Sequence, residues 1–408
     1  MKKRRRWRFG ARQAKGGLKK NDLPLRLGAA FVILASHRMV ESISPMPVWT
    51  NEQERALSAV AAWLKDGGAQ LFRLFGYAGT GKSTLAQHIA ECVDGDVAFG
   101  AFTGKAALVM RSKGCKDART IHSLIYRATD TETEEPAFEL NEDSDAAKAT
   151  LIIIDECSMV DEELGRDLLS FGKKVLVLGD PAQLPPVKGG GYFTEAEPDV
   201  MLTEVHRQAA DNPIVRLSMI IREGGRLDYG VYGETQVVRR DALDPALITN
   251  ADQVLVGLNR TRRAYNNRLR QLRGFVGTLP QSGEKLVCLR NNRKKGLLNG
   301  ALFKVKSAGA LRKGKVRLLV EPEETAGKFQ RVGVLPQFFE GGDAEIPFAQ
   351  RKDTDEFDFG YCLTVHKSQG SQWDDVALFD ESFAFREHRA RWLYTGVTRA
   401  ARKLTVVT

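Results

Sequence analysis

The sequence predicts an α/β fold interrupted by a small β-barrel, and three observations carry that expectation. "RLFGYAGTGKST", Arg73 to Thr84, sets a glycine-rich loop between an apolar run and the helical pattern "TLAQHIAECV". Two further apolar runs, "TLIIIDECSM" and "KVLVLGDPAQLPPV", reach acidic residues where they stop, as buried parallel strands do when their ends carry polar loops. From about Gly277 to Arg351 the runs "EKLVCLRNN", "LFKVKSAG" and "KVRLLVEP" are separated by Gly, Asn and Pro turn signals, the pattern of a small barrel.

The body of the chain is expected to begin near Met46. "PVWTNEQERALSAVAAWLK" follows it, with Thr50 able to cap a helix whose apolar positions Ala56, Val60, Ala61 and Leu64 recur at helical spacing. Before it, residues 1–38 hold twelve Lys and Arg against Asp22 alone, so the net charge of +10 resides in this tail and the rest is close to neutral. Such a density of like charge resists compaction, and residues 1–45 are read as a disordered basic tail. The run Leu27–Ser36 is too short to span a bilayer. Its reading as a signal-peptide core is set aside because the fuel read below is intracellular. Five scattered cysteines without a C-x-x-C pair speak for a reducing compartment and against structural zinc.

Gly76-x-x-x-x-Gly81-Lys82-Ser83 has the strand before it and the helix after it that a phosphate loop requires. Backbone N–H groups of Gly76, Ala78, Gly79, Thr80, Gly81 and the first helical residues through Thr84 would face phosphate oxygens. Lys82 would reach the β- and γ-phosphates, and Ser83 would ligate Mg²⁺. An accidental glycine-rich turn accounts for the glycines but not for the flanking strand and helix. Asp155 would complete the Mg²⁺ shell, and Glu156 would orient and deprotonate the attacking water. Gln183, beyond Gly179-Asp180 and beside Pro185-Pro186, is placed to sense the γ-phosphate.

Taken in order, "GYAGTGKST", "FTGKAA", "TIHSLIY", "IIIDECSM", "GDPAQLPPV", "LTEVHRQ", "LTVHKSQGSQWDDV" and "LYTGVTRA" resemble the motif set of superfamily 1 helicases. The likeness is to the RecD-like and Dda-like 5′→3′ group of superfamily 1B and spans Trp49 to Thr408. It implies two RecA-like P-loop motor domains with ATP and Mg²⁺ between them and single-stranded DNA across one face. Gln53 would read the adenine edge and Gly370 would lie on the nucleotide. Arg207 and Arg399 would reach the γ-phosphate from the second domain, so that their charge acts only when the cleft closes. Gln372 stands where many relatives carry Glu.

The same resemblance assigns DNA contacts to Thr103, Lys105, Thr120 and His122 in the first domain and to Thr364, His366 and Lys367 in the second. Short hydroxyl and cationic groups suit backbone contacts that ignore base sequence. From Thr129 to Ala147 the chain carries eight Asp and Glu and no Lys or Arg. That stretch falls where relatives carry a hairpin pin, with Phe138 as the candidate wedge. Between Lys285 and Arg331 stand thirteen Lys and Arg against three Glu, where relatives carry an SH3-like barrel; the charge suits a phosphate track or a solvated face. The expected division is 46–200 with a pin at 127–148, then 201–276 with 352–408, and the barrel at 277–351.

Function read this way is ATP-dependent unwinding of tailed duplex DNA by a cytoplasmic monomer, without membrane contact. Its setting would be replication, repair or recombination alongside single-strand-binding or replication proteins. Two alternatives stand beside it: a single-strand translocase or recombination motor that unwinds weakly, and a nucleotide-switched DNA-binding protein. The charge distribution makes a first prediction. Deleting residues 1–45 is expected to leave DNA-stimulated ATP hydrolysis intact while weakening duplex binding and flattening its salt dependence, since fewer counterions are released. Titrations of both proteins against salt check this, and an unchanged slope would overturn it.

Overall fold

The computed structural model describes residues 49–128, 138–185, 191–205, 211–292, 295–323, 327–342 and 345–408. The tail at 1–45, most of the acidic run, Pro186 and Arg207 lie outside the described residues.

Thr50 opens the first helix, α1 (Asn51–Lys65), with a capping box: its hydroxyl accepts the Gln53 amide at 3.3 Å and Gln53 Oε1 accepts the Thr50 amide at 3.1 Å. There follow β1 (Leu71–Gly76), α2 (Lys82–Cys92), β2 (Val97–Ala101), α3 (Gly104–Ser112), β3 (Arg119–Thr120) and α4 (Ile121–Ile125). An antiparallel pair, β4 (Tyr126–Ala128) and β5 (Phe138–Leu140), flanks the acidic run. Then come β6 (Leu151–Asp155), α5 (Glu162–Leu169), β7 (Lys174–Gly179) and β8 (Val200–Leu202). These strands, other than the β4–β5 pair, form a parallel six-stranded sheet in the order β3-β2-β6-β7-β1-β8. Both of its faces are covered. Leu151 and Ile153 of β6 pack with Leu176 and Leu178 of β7 beneath α1, while Ile152 and Ile154 pack with Val175 and Val177 on the opposite face. A strand buried on two sides needs apolar residues at every position, which is why these runs do not alternate.

The second half begins with α6 (Pro213–Arg222), β9 (Gly230–Tyr232), β10 (Thr235–Val238), β11 (Gln253–Val256) and α7 (Asn259–Leu272). Next come β12 (Lys285–Cys288), β13 (Leu302–Arg312), β14 (Lys315–Pro322), β15 (Gln330–Val334) and β16 (Phe357–Phe359). Last are β17 (Cys362–Thr364), β18 (Trp373–Phe379), α8 (Arg389–Val397) and β19 (Ala400–Val407). A second six-stranded sheet has the order β17-β11-β18-β19-β10-β9, parallel except for the β9–β10 hairpin. Strands β12 to β16 make a separate antiparallel sheet in the order β15-β14-β13-β12-β16. Its edges approach where the Asp355 amide donates to the Gly333 carbonyl at 2.9 Å.

Two elements lie across the expected divisions. β8 pairs with β1, so the first sheet runs past residue 200 to Leu202. β16 pairs with β12, so the antiparallel sheet runs past Arg351 to Phe359. The string "FDFGYCLT" reads as one strand but serves two sheets, breaking at Gly360, where a Cβ would lie 2.8 Å from the Leu286 carbonyl carbon.

The antiparallel sheet is bolted to α7 by a buried ion pair. Arg270 Nε and Nη2 donate to the two carboxylate oxygens of Glu284 at 2.6 and 2.9 Å, with side-chain exposures of 5% and 0%. Arg270 also donates to the Gly277 carbonyl at 2.8 Å. Removing one member strands a buried charge, so Arg270→Ala is expected to cost about 3–5 kcal/mol in urea unfolding. Arg270→Met with Glu284→Leu should recover most of that loss; a cost below about 1 kcal/mol for the single change would refute the pair's role.

Candidate nucleotide cleft and nucleic-acid face

Because β7 lies between β1 and β6, their C-terminal ends bring the glycine loop, Asp180 and Asp155-Glu156 to one edge of the sheet. Gly81 takes a left-handed conformation, φ 82°, as it turns into α2. Lys82 Nζ donates to the carbonyls of Gly76 and Tyr77 at 2.5 and 2.9 Å, and lies in the mouth of a cleft of about 200 Å³. Ala78, Gly79, Ser83, Asp155, Glu156 and Gln183 line this cleft from the first half, and Gly370, Gln372, Thr398 and Arg399 line it from the second. The halves approach closely here: a Cβ on Gly370 would sit 2.6 Å from Thr103 Oγ1 and 2.9 Å from Ala106 Cβ.

Ser83 Oγ donates to Asp155 Oδ2 at 3.4 Å, and the Glu156 amide donates to Asp155 Oδ1 at 2.8 Å. Burial, with the charge of Glu156 beside it, pushes the Asp155 carboxyl above its ordinary range; burial does the same to Asp180. Glu156 holds a left-handed backbone, φ 53° and ψ 46°, which a non-glycine residue adopts only at a cost and which aims its side chain into the cleft lining. Gln183 is 8% exposed and its Oε1 lacks a hydrogen-bond partner, an amide that a ligand would satisfy.

These donors fit a magnesium nucleotide. A hydroxyl and a carboxylate are the oxygen ligands Mg²⁺ prefers, and it characteristically takes one or two from protein and the remainder from phosphate and water. Among the described residues no group of three or more His, Cys, Asp or Glu could hold a metal ion.

Gln53, Thr80 and Thr84 lie around the cleft rather than in its lining. Thr80 is buried, and its carbonyl accepts Gln53 Nε2 at 3.0 Å, so Gln53 ties α1 to the loop. Thr84 is exposed on α2. Arg399 is 5% exposed and donates to the carbonyls of Thr395 and Ser371 at 3.1 and 3.2 Å and to Thr398 Oγ1 at 3.2 Å. All three acceptors are neutral, and Asp155 and Glu156 line the same cleft.

Thr103, Thr120, His122, His366 and Lys367 are brought together around a second cleft of about 250 Å³, which Asn291 and Asn299 from the antiparallel sheet also line. Thr103 and Thr120 cap α3 and α4, accepting the amides of Ala106 at 3.1 Å and Ser123 at 3.2 Å; each hydroxyl proton remains to donate. Thr364 lines an adjoining cleft of about 440 Å³ with His366, Leu184, Pro185 and Phe385. Burial, then His388, pull His366 below its ordinary value, and burial pulls Lys367 down as well. Lys105 lies apart. It is 7% exposed, with Nζ 4.9 Å from the centroid of the Trp373 ring, a cation–π contact between the two halves. Phe138 begins β5.

Sequence reasoning missed Asn291 and Asn299, which line the second cleft from the connection between β12 and β13, and Lys113, whose Nζ donates to Ser83 Oγ at 3.5 Å. It also missed Tyr394, although that residue stands within the quoted string "LYTGVTRA".

Residues 49–240 match the AAA domain family, and residues 359–407 match the UvrD-like helicase C-terminal domain. Among curated relatives, the chain is 28% identical over 362 residues to the ATP-dependent RecD2 DNA helicase of Deinococcus radiodurans, covering 82% of this chain and 46% of that protein. It is 32% identical over 190 residues to the ATP-dependent DNA helicase dda of Enterobacteria phage T4, covering 43% of each. The chain thus spans less than half the length of these relatives. A solved structure of Bacteroides Pif1 bound to ssDNA superposes with a TM-score of 0.55 at 18% identity, over 88% of this chain and 92% of that one, a likeness of fold. Domain matches and relatives agree with the motif order: the chain is similar in sequence to the RecD2 and Dda helicases and carries a UvrD-like helicase C-terminal domain, and it shares its fold with Pif1.

Proposed function

We propose that this chain hydrolyses ATP to move 5′→3′ along single-stranded DNA and to separate duplex ahead of it. The observation that carries this reading is the two-sided cleft: the phosphate loop, Asp155-Glu156 and Gln183 come from one sheet and Arg399 from the other half. Hydrolysis at such a site depends on whether the halves are together, which is what motion requires.

Lys82 leaves the carbonyls of Gly76 and Tyr77 for the β- and γ-phosphates, and loop amides hold the same oxygens, except that of Ala78, which donates to the Tyr394 hydroxyl instead. Ser83 and Asp155 would hold Mg²⁺, whose charge neutralises the phosphates. Glu156 orients the attacking water and takes its proton at the carboxylate, and Gln183 bonds the γ-phosphate. Arg399, with Arg207 as the family pattern places it, stabilises charge in the transition state. Gln53 reads adenine.

Single-stranded DNA runs over the second cleft, where Thr103, Thr120, His122, Thr364, His366 and Lys367 contact its backbone without reading sequence. Lys105 contributes from the seam between the halves. In this reading 46–202 and 203–276 with 360–408 are the motor domains, 277–359 is an SH3-like barrel, and the expected pin at 127–148 carries Phe138 as wedge. The basic tail adds nonspecific affinity, and the active form is a cytoplasmic monomer. Among the described residues no helix is long and apolar enough to cross a membrane.

Lys82→Ala is expected to abolish hydrolysis with the fold intact, and Glu156→Gln to bind ATP without turning it over; normal turnover in Glu156→Gln would remove its assignment as base. Arg399→Ala should lower turnover by about 10³-fold or more with nucleotide affinity held within a few-fold, since its contact strengthens in the transition state. Strand displacement from 5′-tailed but not 3′-tailed duplex tests polarity. Hydrolysis and translocation without displacement would favour the weakly unwinding motor.

A further inference from the structure

One buried hydroxyl at the seam belongs to neither cleft lining. Tyr394, on α8, is 2% exposed. Its hydroxyl donates to Asp180 Oδ2 at 2.7 Å and accepts the Ala78 amide at 2.9 Å. Both partners belong to the first half, Ala78 in the phosphate loop and Asp180 just beyond β7, whereas Tyr394 belongs to the second. A hydroxyl has one proton and two lone pairs, so this single oxygen meets both partners; a phenyl ring meets neither.

The neighbouring contacts run the same way. Thr395 Oγ1 accepts the Leu184 amide at 3.0 Å, and Gln369 Nε2 donates to the Leu184 carbonyl at 2.9 Å. Leu184 is 1% exposed and packs in the core of the second half with Trp392 and Val397. Gln183 is therefore held between two residues, Asp180 and Leu184, that are each bonded to the other half. The Arg222 guanidinium, from α6, lies 3.8 Å over the Tyr77 ring and extends the seam along the phosphate loop.

We propose that Tyr394 is a positioning residue that joins the phosphate loop and the Gln183 loop to the second half, so that nucleotide at the loop and DNA across the halves sense each other through Ala78 and Asp180. This rests on the reading of the first cleft as an ATP site. The Tyr394 hydroxyl is the point where a loop amide, a buried carboxylate and the second half meet in one hydrogen-bonded chain. Its loss leaves the Ala78 amide and the Asp180 carboxylate without their link across the seam, and each half keeps its own groups.

The test is the linkage between two ligands, in full-length wild type and Tyr394→Phe. Dissociation constants for a fluorescent non-hydrolysable ATP analogue are measured with and without oligo(dT). Linked sites change one another's affinity by a factor of about 5 to 150, and that factor is expected in the wild type and to fall within about twofold of unity in Tyr394→Phe. Analogue affinity without DNA should stay within a few-fold, and DNA-stimulated kcat should drop with KM little changed. A factor equal to wild type in Tyr394→Phe overturns the proposal, as does a fall confined to affinity and thermal stability together. If Tyr394→Phe does not fold, Thr395→Val, which removes the acceptor for Leu184, is expected to lower the same factor, and an unchanged value there refutes the seam. A wild type that binds no analogue would instead bring down the ATP reading of the cleft.

Discussion

The parallel pairing of β1, β7 and β6 is the constraint from which the site follows. Parallel strands need crossover connections, so their C-terminal ends share one edge and their loops gather there. Neighbouring strands lie about 4.8 Å apart, which sets the glycine loop, Asp180 and Asp155 within reach of one ligand without any long side chain having to search for it. The helices that make the crossovers cover both faces, and that burial is what demands the unbroken apolar runs. Chemistry and core here have one cause.

That shared cause explains what was legible in the sequence. The phosphate loop, the Asp155-Glu156 strand and the Gly179-Asp180 strand each announce themselves within a dozen residues, since apolar run, turn and polar group are contiguous. Thr103, Thr120, His122, His366 and Lys367 were legible through ordered motifs, and the structure gathers them around one cleft. Contacts that depend on where the halves meet were not legible. Tyr394 and Asp180 are 214 residues apart, and nothing local to either marks the other. Lys105 is placed among the DNA contacts by its motif, yet its ammonium lies against the Trp373 ring of the other half. Division points blurred for a related reason: one apolar string ending in "FGYCLT" crosses from the antiparallel sheet into the parallel one, and only Gly360, against the backbone of Leu286, shows where.

The two clefts are joined by consecutive residues of the same short segments. Leu184 follows Gln183 of the nucleotide cleft and lines the cleft that holds Thr364 and His366. Gln369, one residue from Gly370, lines the second cleft while donating to Leu184. A short segment of each half therefore faces the first cleft on one side and the second or its adjoining cleft on the other. Bonds across the seam connect two such segments, and a shift in either is felt at both clefts.

The antiparallel sheet enters and leaves the second half at neighbouring points, since β12 and β16 pair with one another and β16 runs directly into β17. Phe303, Phe357 and Val305 share one apolar cluster with Val254, Val256 and Phe379 of the parallel sheet, and Arg270 clamps the base. A module attached through a single flexible strand would swivel and average out any push it received. One attached by two paired strands, a continuous core and an ion pair behaves as a boom fixed to its mast, so that a small rotation at the base becomes a larger sweep at the distal turn between β13 and β14.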